Sequence, residues 1–141
     1  VGEIDQVAAS LVLTLCKEDY IPVLASVGID EEGLSLNLNA DTVAAALAAG
    51  IKAEKLIFLT DVDGILKGGA LLRRLNFSKA KELLQDPEVT GGMIPKVQYS
   101  IRALEGGVHS VHIINGSIEH AVLLEVFTDT GIGTMIENEM E

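Results

Sequence analysis

The sequence has one cysteine and few basic residues, and each shortage excludes a class of protein. Cys16 has no partner in the chain, so no internal disulfide can form, and a reducing compartment is the natural setting. Ten lysines and arginines stand against 21 aspartates and glutamates, a net charge of −11. This charge has the wrong sign for a nucleic acid backbone or an anionic membrane. We therefore predict a cytoplasmic protein that binds neither nucleic acid nor membranes.

Long apolar runs, clustered metal ligands and a dinucleotide fingerprint are also missing. The longest apolar runs are shorter than the roughly 20 residues that cross a bilayer, and the acidic start is unlike a signal or transit peptide. His109, His112 and His120, with one distant cysteine, are too sparse for a zinc site. The Gly-Ile-Gly at 131–133 lacks the third glycine of the dinucleotide motif. We predict no transmembrane segment, no protein-bound metal and no dinucleotide site.

What is present is enough apolar material for one core. Apolar residues make up 48% of 141 residues, and the mean hydropathy is +0.37. Single cores usually span roughly 100 to 150 residues, so the whole chain, 1–141, is predicted to form a single domain.

Apolar periodicity predicts helices and strands in alternation. Helices are expected at 4–15, 39–49, 78–84, 93–104 and 118–127, and strands at 21–27, 34–38, 55–60, 108–114 and 133–136. Asn39 and Ser78 are predicted to cap two of the helices. Because strand and helix alternate almost throughout, we predict a three-layer αβα sandwich with a mostly parallel central sheet.

Three polar clusters follow predicted strands or open predicted helices. They are Asn-Leu-Asn-Ala-Asp at 37–41, Thr-Asp-Val-Asp-Gly at 60–64 and Thr-Gly-Gly-Met-Ile-Pro-Lys at 90–96. In open parallel sheets, ligands bind outside the carboxyl ends of the strands, where loops and helix N-termini present backbone N–H groups to anions. These clusters are therefore the first candidates for a binding site.

Each cluster also has an ordinary structural explanation. Helix capping accounts for Asn39 and Asp41, although it leaves Asn37 without a role. The turn at 60–64 is equally typical of a solvated loop that ends in a left-handed glycine. The glycine pair before Lys96 can simply begin a helix, but paired glycines also let a backbone approach a ligand that a nearby lysine can reach.

Taken together, in this order and spacing, the clusters resemble the amino-acid kinase family, and most closely the C-terminal half of the arginine-sensitive acetylglutamate kinases. The resemblance covers essentially the whole chain and rests on residues 21–23, 37–41, 59–65, 91–96 and 131–136. The Thr-Asp-Val-Asp-Gly element is shared with relatives such as uridylate kinase and glutamate 5-kinase. The Asn-x-Asn-Ala-Asp and Gly-Gly-Met-x-x-Lys elements narrow the resemblance to acetylglutamate kinases.

The resemblance implies an activity and its partners. These enzymes use ATP, with Mg²⁺ carried by the nucleotide, to phosphorylate the side-chain carboxylate of N-acetyl-L-glutamate in arginine biosynthesis. The full-length enzyme is expected to be a homo-oligomer of the cytoplasm, or of the plastid stroma in a plant or alga. The start of the chain resembles an internal point of the family, so we expect the ATP-binding part without its N-terminal lobe, incomplete for catalysis alone.

The resemblance also implies a role for individual residues. Lys96 would stabilise the transferring phosphoryl group, Asp41 would organise catalytic lysines, and Asn37 would contact the amino-acid substrate, with Asn39 beside it. The expected nucleotide-binding residues are Thr60, Asp61, Val62, Asp63, Gly64, Gly91, Gly92, Met93 and Lys96. Phosphoryl transfer needs charge stabilisation more than covalent chemistry, which a lysine and glycine-loop N–H groups provide.

A second site is implied for L-arginine as a feedback effector. Its expected residues are His112, Glu125, Gly131 and Gly133. A carboxylate suits a guanidinium, and the glycine turn could present N–H groups to the arginine carboxylate. Two alternatives stay open: a helix followed by an ordinary glycine turn at this point, and, for the whole chain, a non-catalytic nucleotide- or arginine-binding module or another member of the family.

Overall fold

The computed structural model describes residues 3–138, in which helices and strands are interspersed along the chain. Val1 and Gly2, at the start that resembles an internal point of the family, lie outside these residues. The helices are α1 (Ala9–Lys17), α2 (Ala40–Gly50), α3 (Phe77–Leu83), α4 (Met93–Glu105) and α5 (Ala121–Phe127). The strands are β1 (Val27–Ile29), β2 (Ser35–Asn37), β3 (Lys55–Thr60), β4 (Leu66–Lys67), β5 (Ala70–Leu71), β6 (Arg74–Asn76), β7 (Ser110–Asn115) and β8 (Thr134–Glu137).

Four strands form the central sheet in the order β3-β7-β8-β6. The β3–β7 and β6–β8 pairs are parallel, and the β7–β8 pair is antiparallel. Two short antiparallel pairs, β1–β2 and β4–β5, lie outside this sheet. The α/β fold with a mostly parallel central sheet is therefore confirmed.

The pleat of the sheet sends alternate side chains to two helical layers. Val111 and Ile113 of β7 are fully buried in the core cluster that also contains Val97 and Leu104 of α4. Helices α2 and α3 both contact α4 on this side. The intervening residue His112 points to the opposite face, where its side chain meets Glu125 of α5. The sheet thus lies between helices on both faces, as predicted.

The predicted strand at 21–27 is wrong, since only its last residue belongs to a strand. Residues 21–26 have no regular secondary structure, and Ile21 and Val23 are 91% and 94% exposed. A β-branched run favours an extended backbone, but a strand also needs a neighbour that pairs with its N–H and C=O groups. Among residues 3–138, no strand pairs with residues 21–26, and only Val27 pairs with β2.

Several element boundaries also differ from the sequence prediction. Helix α1 begins at Ala9 rather than at residue 4, because Ala8 has a non-helical ψ of 65°. Helix α3 is capped by Asn76, whose side-chain oxygen accepts the N–H of Lys79, so the cap predicted at Ser78 is wrong. Helix α5 begins only at residue 121, because His120 has a left-handed φ of 59°. No helix within residues 3–138 has the length and apolar character needed to span a membrane.

Candidate functional site

A cleft of about 600 Å³ opens where β3 ends and α4 begins. It is lined by Thr60, Asp61, Val62, Gly64, Ile65, Leu66, Glu88, Val89, Thr90, Gly92, Met93 and Lys96. Two of the three polar clusters predicted from the sequence, 60–64 and 90–96, are thus brought together at one edge of the sheet. Seven of the nine predicted nucleotide-binding residues, Lys96 among them, line this cleft, whereas Asp63 and Gly91 do not.

An ion pair connects the cleft to the remaining polar cluster. Lys96 Nζ lies 2.6 Å from Asp41 Oδ2, and the two side chains are 18% and 29% exposed. The pair forms because α2 and α4 pack together with their first turns adjacent. The ring centroid of Phe58 lies 5.9 Å from the same Nζ. Partial burial strengthens this charge-assisted hydrogen bond and fixes the ammonium group at the cleft.

The two aspartates of the 60–64 turn have different surroundings. Asp61 lines the cleft and accepts a hydrogen bond of 3.2 Å from Thr60 Oγ1. Asp63 is turned to the neighbouring strand, where Asn115 Nδ2 donates to its Oδ1 at 2.8 Å. The N–H of Gly116 donates to the Thr60 carbonyl at 2.8 Å, which adds a second tie. Asp63 therefore secures the turn to the end of β7 instead of facing the cleft.

Asn115 was not among the candidates from the sequence. It is the register partner of Thr60, so the two residues end adjacent parallel strands. Its side-chain oxygen also accepts the N–H of Ser117 at 2.9 Å. The signal that could have identified it is a polar residue at the carboxyl end of the buried run 108–114, the same criterion that selected the 60–64 turn.

The β4–β5 hairpin and the segment before α4 form the other wall of the cleft. Lys67 Nζ lies 2.7 Å from Asp86 Oδ2, and the N–H of Gly68 donates to Glu88 Oε2 at 2.8 Å. The hydrogen bond from Lys67, with help from the N–H of Glu88, holds the pKa of Asp86 below its ordinary value. These contacts join the hairpin to residues 86–88.

The two predicted substrate asparagines lie outside the cleft. Asn39 caps α2, since its Oδ1 accepts the N–H of Thr42 at 3.1 Å. It also lines a separate groove of about 550 Å³ beside α2 and α4. Asn37 is exposed at the end of β2. The structure thus gives Asn39 the capping role that the sequence allowed, and binding of a substrate by either residue stays a prediction.

The four residues predicted to bind arginine lie together on the opposite face of the sheet. Glu125 Oε1 is 2.7 Å from His112 Nδ1, and Glu125 Oε2 accepts the N–H groups of Ile132 at 2.6 Å and Gly133 at 3.2 Å. The other ring nitrogen of His112 lies 3.0 Å from Ser110 Oγ. We call Glu125, His112, Ser110 and the turn 131–133 the Glu125 cluster. It is buried, with Glu125 8% and His112 4% exposed.

The Glu125 cluster stabilises an ionised carboxylate. Burial alone raises the pKa of Glu125, but the hydrogen bonds from His112, Ile132 and Gly133 together outweigh it. The pKa of Glu125 is therefore lowered from its ordinary value of 4.5. The N–H groups of Ile132 and Gly133 that the sequence left available for a ligand are bonded to Glu125 in this structure.

The sequence and the fold have counterparts in a known class of α/β proteins. The sequence profile described as the Amino acid kinase family matches residues 1–115, which is most of the chain. The chain therefore belongs to the amino acid kinase family.

Within that family the most similar relatives include acetylglutamate kinases of bacteria and archaea. The chain is 52% identical over 138 residues to the acetylglutamate kinase of Kosmotoga olearia, covering 98% of this chain and 49% of that protein. It is also 52% identical over 143 residues to the acetylglutamate kinase of Methanocaldococcus jannaschii, covering 99% of this chain and 48% of that protein. The chain thus spans about half the length of these relatives.

Solved structures show the same fold. N-acetylglutamate synthase from Neisseria gonorrhoeae, complexed with coenzyme A and L-arginine, matches with a TM-score of 0.93 and 32% identity, over 99% of this chain and 32% of that one. Carbamate kinase from Giardia lamblia bound to AMP-PNP matches with a TM-score of 0.73 and 18% identity, over 96% of this chain and 46% of that one. The second likeness concerns the fold alone.

Proposed function

We propose that this chain is the nucleotide-binding part of an acetylglutamate kinase, which transfers a phosphoryl group from ATP to the side-chain carboxylate of N-acetyl-L-glutamate. The observation that carries the proposal is the Lys96–Asp41 ion pair at a cleft built from the 60–64 turn and the start of α4. Relatives 52% identical to the chain bear that name. Bacterial and archaeal relatives and the lone cysteine support a cytoplasmic setting.

The cleft has the size and surfaces that a nucleotide requires. Ligand pockets usually measure about 300–1,000 Å³, a range that includes this cleft of about 600 Å³. Ile65, Val89 and Met93 provide apolar walls for a base. Gly92 caps the 13-residue helix α4, whose first N–H groups and positive dipole end favour phosphate. We assign the base to the apolar walls and the phosphates to the start of α4.

In the proposed reaction Lys96 acts on charge that develops during transfer. The acceptor is already a carboxylate, so no general base is needed, and the work lies in positioning and in neutralising the phosphoryl oxygens. Asp41 holds the ammonium of Lys96 through the 2.6 Å contact, so little reorganisation is required when the phosphoryl group moves. Mg²⁺ enters as part of the MgATP substrate.

We assign the acceptor to the side of the Lys96–Asp41 pair where α2 begins. Asn39 uses its side-chain oxygen to cap α2, which leaves its amide nitrogen as a donor for a carboxylate or an acetyl oxygen. Asn37 precedes it by two residues and is exposed. The half of the relatives that this chain does not span would supply the remaining contacts, including those of a homo-oligomer.

The Glu125 cluster is the proposed site for L-arginine as an effector. Glu125 Oε1 has one hydrogen-bond partner within the cluster, His112, and keeps a lone pair for a guanidinium N–H, whereas Oε2 already accepts two N–H groups. The synthase of Neisseria gonorrhoeae that shares the fold was crystallised with L-arginine. The net charge of −11 also attracts a cationic ligand.

A second candidate function is a regulatory module that binds nucleotide or arginine without catalysis. The likeness to a synthase that was crystallised with L-arginine, at a TM-score of 0.93, favours it. Calorimetry of the chain with MgATP tests the first proposal: we expect weak binding that Lys96→Ala weakens further and that Lys55→Ala, a substitution at an exposed lysine, leaves unchanged. Absence of binding at millimolar MgATP would count against the first proposal.

A further inference from the structure

A buried hydrogen bond connects the Glu125 cluster to the cleft on the other side of the sheet. The N–H of Ile65 donates to Thr134 Oγ1 at 2.9 Å, and both residues are fully buried. Ile65 lines the cleft directly after the 60–64 turn. Thr134 directly follows Gly133, whose N–H donates to Glu125 Oε2. Thr134 alone therefore connects Gly133, which Glu125 binds, with Ile65, which lines the cleft.

The packing around this hydrogen bond leaves little freedom on either side. Gly64 has a φ of 140°, and a Cβ placed there would lie 2.6 Å from Thr134 Oγ1 and 3.1 Å from its backbone nitrogen. A Cβ on Gly133 would collide with the carbonyl oxygen of Ile113. Both glycines therefore mark close approaches of backbone, and a shift of residues 131–134 must move the end of the 60–64 turn.

The Glu125 cluster fixes the position of that backbone from the opposite side. Gly131 has a left-handed φ of 59°, and a Cβ placed there would lie 2.6 Å from Glu125 Oε2. The same oxygen accepts two consecutive N–H groups, from Ile132 and Gly133. Charge-assisted hydrogen bonds of this kind are about twice as strong as neutral ones, so the position of the carboxylate sets the course of the turn into β8.

We propose that Thr134 is a positioning residue for the cleft, and that it transmits the state of the Glu125 cluster to the 60–64 turn. That a nucleotide occupies the cleft rests on the function proposed above, whereas the link itself rests only on the contacts that join Ile65 to Glu125. Loss of the hydroxyl leaves the buried N–H of Ile65 without an acceptor, which favours a displaced turn. Loss of the Glu125 charge weakens the hydrogen bonds to Ile132 and Gly133. The backbone at Thr134 can then shift, which weakens the hydrogen bond from the N–H of Ile65 to the Thr134 hydroxyl.

Amide hydrogen exchange at Ile65 tests the link without any ligand. Thr134→Val keeps the volume of the side chain but removes the acceptor, and Thr134→Ser keeps the hydroxyl. We expect Ile65 to exchange about tenfold faster in the valine chain, as for one lost hydrogen bond, and close to the parent rate in the serine chain. Equal rates in the parent and valine chains would overturn the proposal.

Transmission from the cluster is tested by Glu125→Gln, with Glu119→Gln as the matched control at a side chain 89% exposed. We expect faster exchange at Ile65 in the first chain only. Equal Ile65 rates in the two glutamine chains would overturn the proposal. If the Thr134→Val chain does not fold, Glu125→Gln, which retains Thr134, decides the question alone.

Calorimetry with MgATP then separates this proposal from the proposed function. If the parent chain binds MgATP, we expect about tenfold weaker binding by Thr134→Val and recovery in Thr134→Ser. Equal affinities in a chain that binds MgATP would show that Thr134 does not position the cleft. A folded parent chain that binds no MgATP would instead contradict the proposed function, and the exchange rates at Ile65 would still decide whether the link exists.

Discussion

Lys96 and Asp41, 55 positions apart in the chain, meet at 2.6 Å where the first turns of α4 and α2 pack together. Both side chains are mostly buried, so the ion pair is shielded from solvent on several sides. A hydrogen bond between charged groups contributes about 1.5–3 kcal/mol, which is enough to hold the lysine in one position. The site therefore combines a fixed ammonium group with a glycine-flanked helix N-terminus.

Replacement of Lys96 should affect turnover more than binding of the acceptor. In the chain supplied with the half of its relatives that it does not span, we expect Lys96→Ala to lower the turnover number by about 10²- to 10³-fold, as for a lost oxyanion donor, with a smaller change in KM. Lys96→Arg should recover only part of the rate, because a planar guanidinium does not replace a compact ammonium. Lys55→Ala serves as the control. A turnover number unchanged by Lys96→Ala would remove Lys96 from the mechanism.

Asp41 should act through the lysine that it holds. Asp41→Asn keeps the size of the side chain but removes its charge, so the ammonium of Lys96 is held less firmly. We expect a loss of about tenfold in the turnover number, in line with one weakened charge-assisted hydrogen bond. Steady-state kinetics of the complemented enzyme, with the exposed Asp129→Asn as control, provide the check. Equal rates for the two asparagine variants would contradict a positioning role for Asp41.

Gly64 should be far less replaceable than Gly68. An alanine at 64 combines a φ of 140° with a Cβ 2.6 Å from Thr134 Oγ1, whereas a Cβ at 68, with a φ of 57°, meets nothing within 4 Å. We expect Gly64→Ala to lower the free energy of unfolding by about 3 kcal/mol and Gly68→Ala by about 1 kcal/mol. Urea denaturation of both chains measures the difference. Equal losses would show that the contact with Thr134 is not tight.

Glu125 should make stability depend on pH in the acid range. Its pKa is lowered in the folded chain, so its contribution is fully present above the ordinary value of 4.5 and is lost as the pH falls through the lowered pKa. The parent chain should therefore be more stable than Glu125→Gln at pH 7, with a gap that narrows below pH 4.5. Urea denaturation across this range, with Glu119→Gln as control, is the test. A gap that stays constant with pH would contradict an ionised Glu125.

Arginine should bind the chain through the Glu125 cluster. The guanidinium needs a carboxylate, so Glu125→Gln should weaken binding by about tenfold or more. Calorimetry with L-arginine on the parent and the variant is the measurement. Equal affinities, or no binding by either chain, would remove the proposed effector site.

The parts of the fold that the sequence predicted are those with strong local signals. Strand β3 is found at residues 55–60, as predicted. The prediction succeeds because the apolar run and the turn at Gly64 that ends it are both visible in the local sequence. Helix α2 was predicted with Asn39 as its cap, and the Thr42 N–H confirms that role. The three polar clusters were found because they follow predicted strands or open a predicted helix, and two of them line the cleft.

What the sequence did not predict depends on partners distant in the chain. An apolar run at 21–27 does not show whether a neighbouring strand is available, and among the described residues no strand pairs with 21–26. The hairpin β4–β5 has two residues in each strand, too few for a period-two pattern to be read. A strand-end pattern can select Asn115 as a candidate, but the partners of Asn115 and Thr134 lie 52 and 69 positions away, and no local pattern identifies those partners.

The most direct test of the account is phosphoryl transfer from ATP to N-acetyl-L-glutamate. The chain is assayed alone and after mixing with the half that the acetylglutamate kinase relatives have in addition, with Lys96→Ala in parallel. We predict transfer only in the mixture with the parent chain, because Lys96 and the cleft supply one part of the site and the other half supplies the rest. A mixture that assembles and binds MgATP, yet transfers no phosphoryl group, would contradict the account and favour a regulatory module.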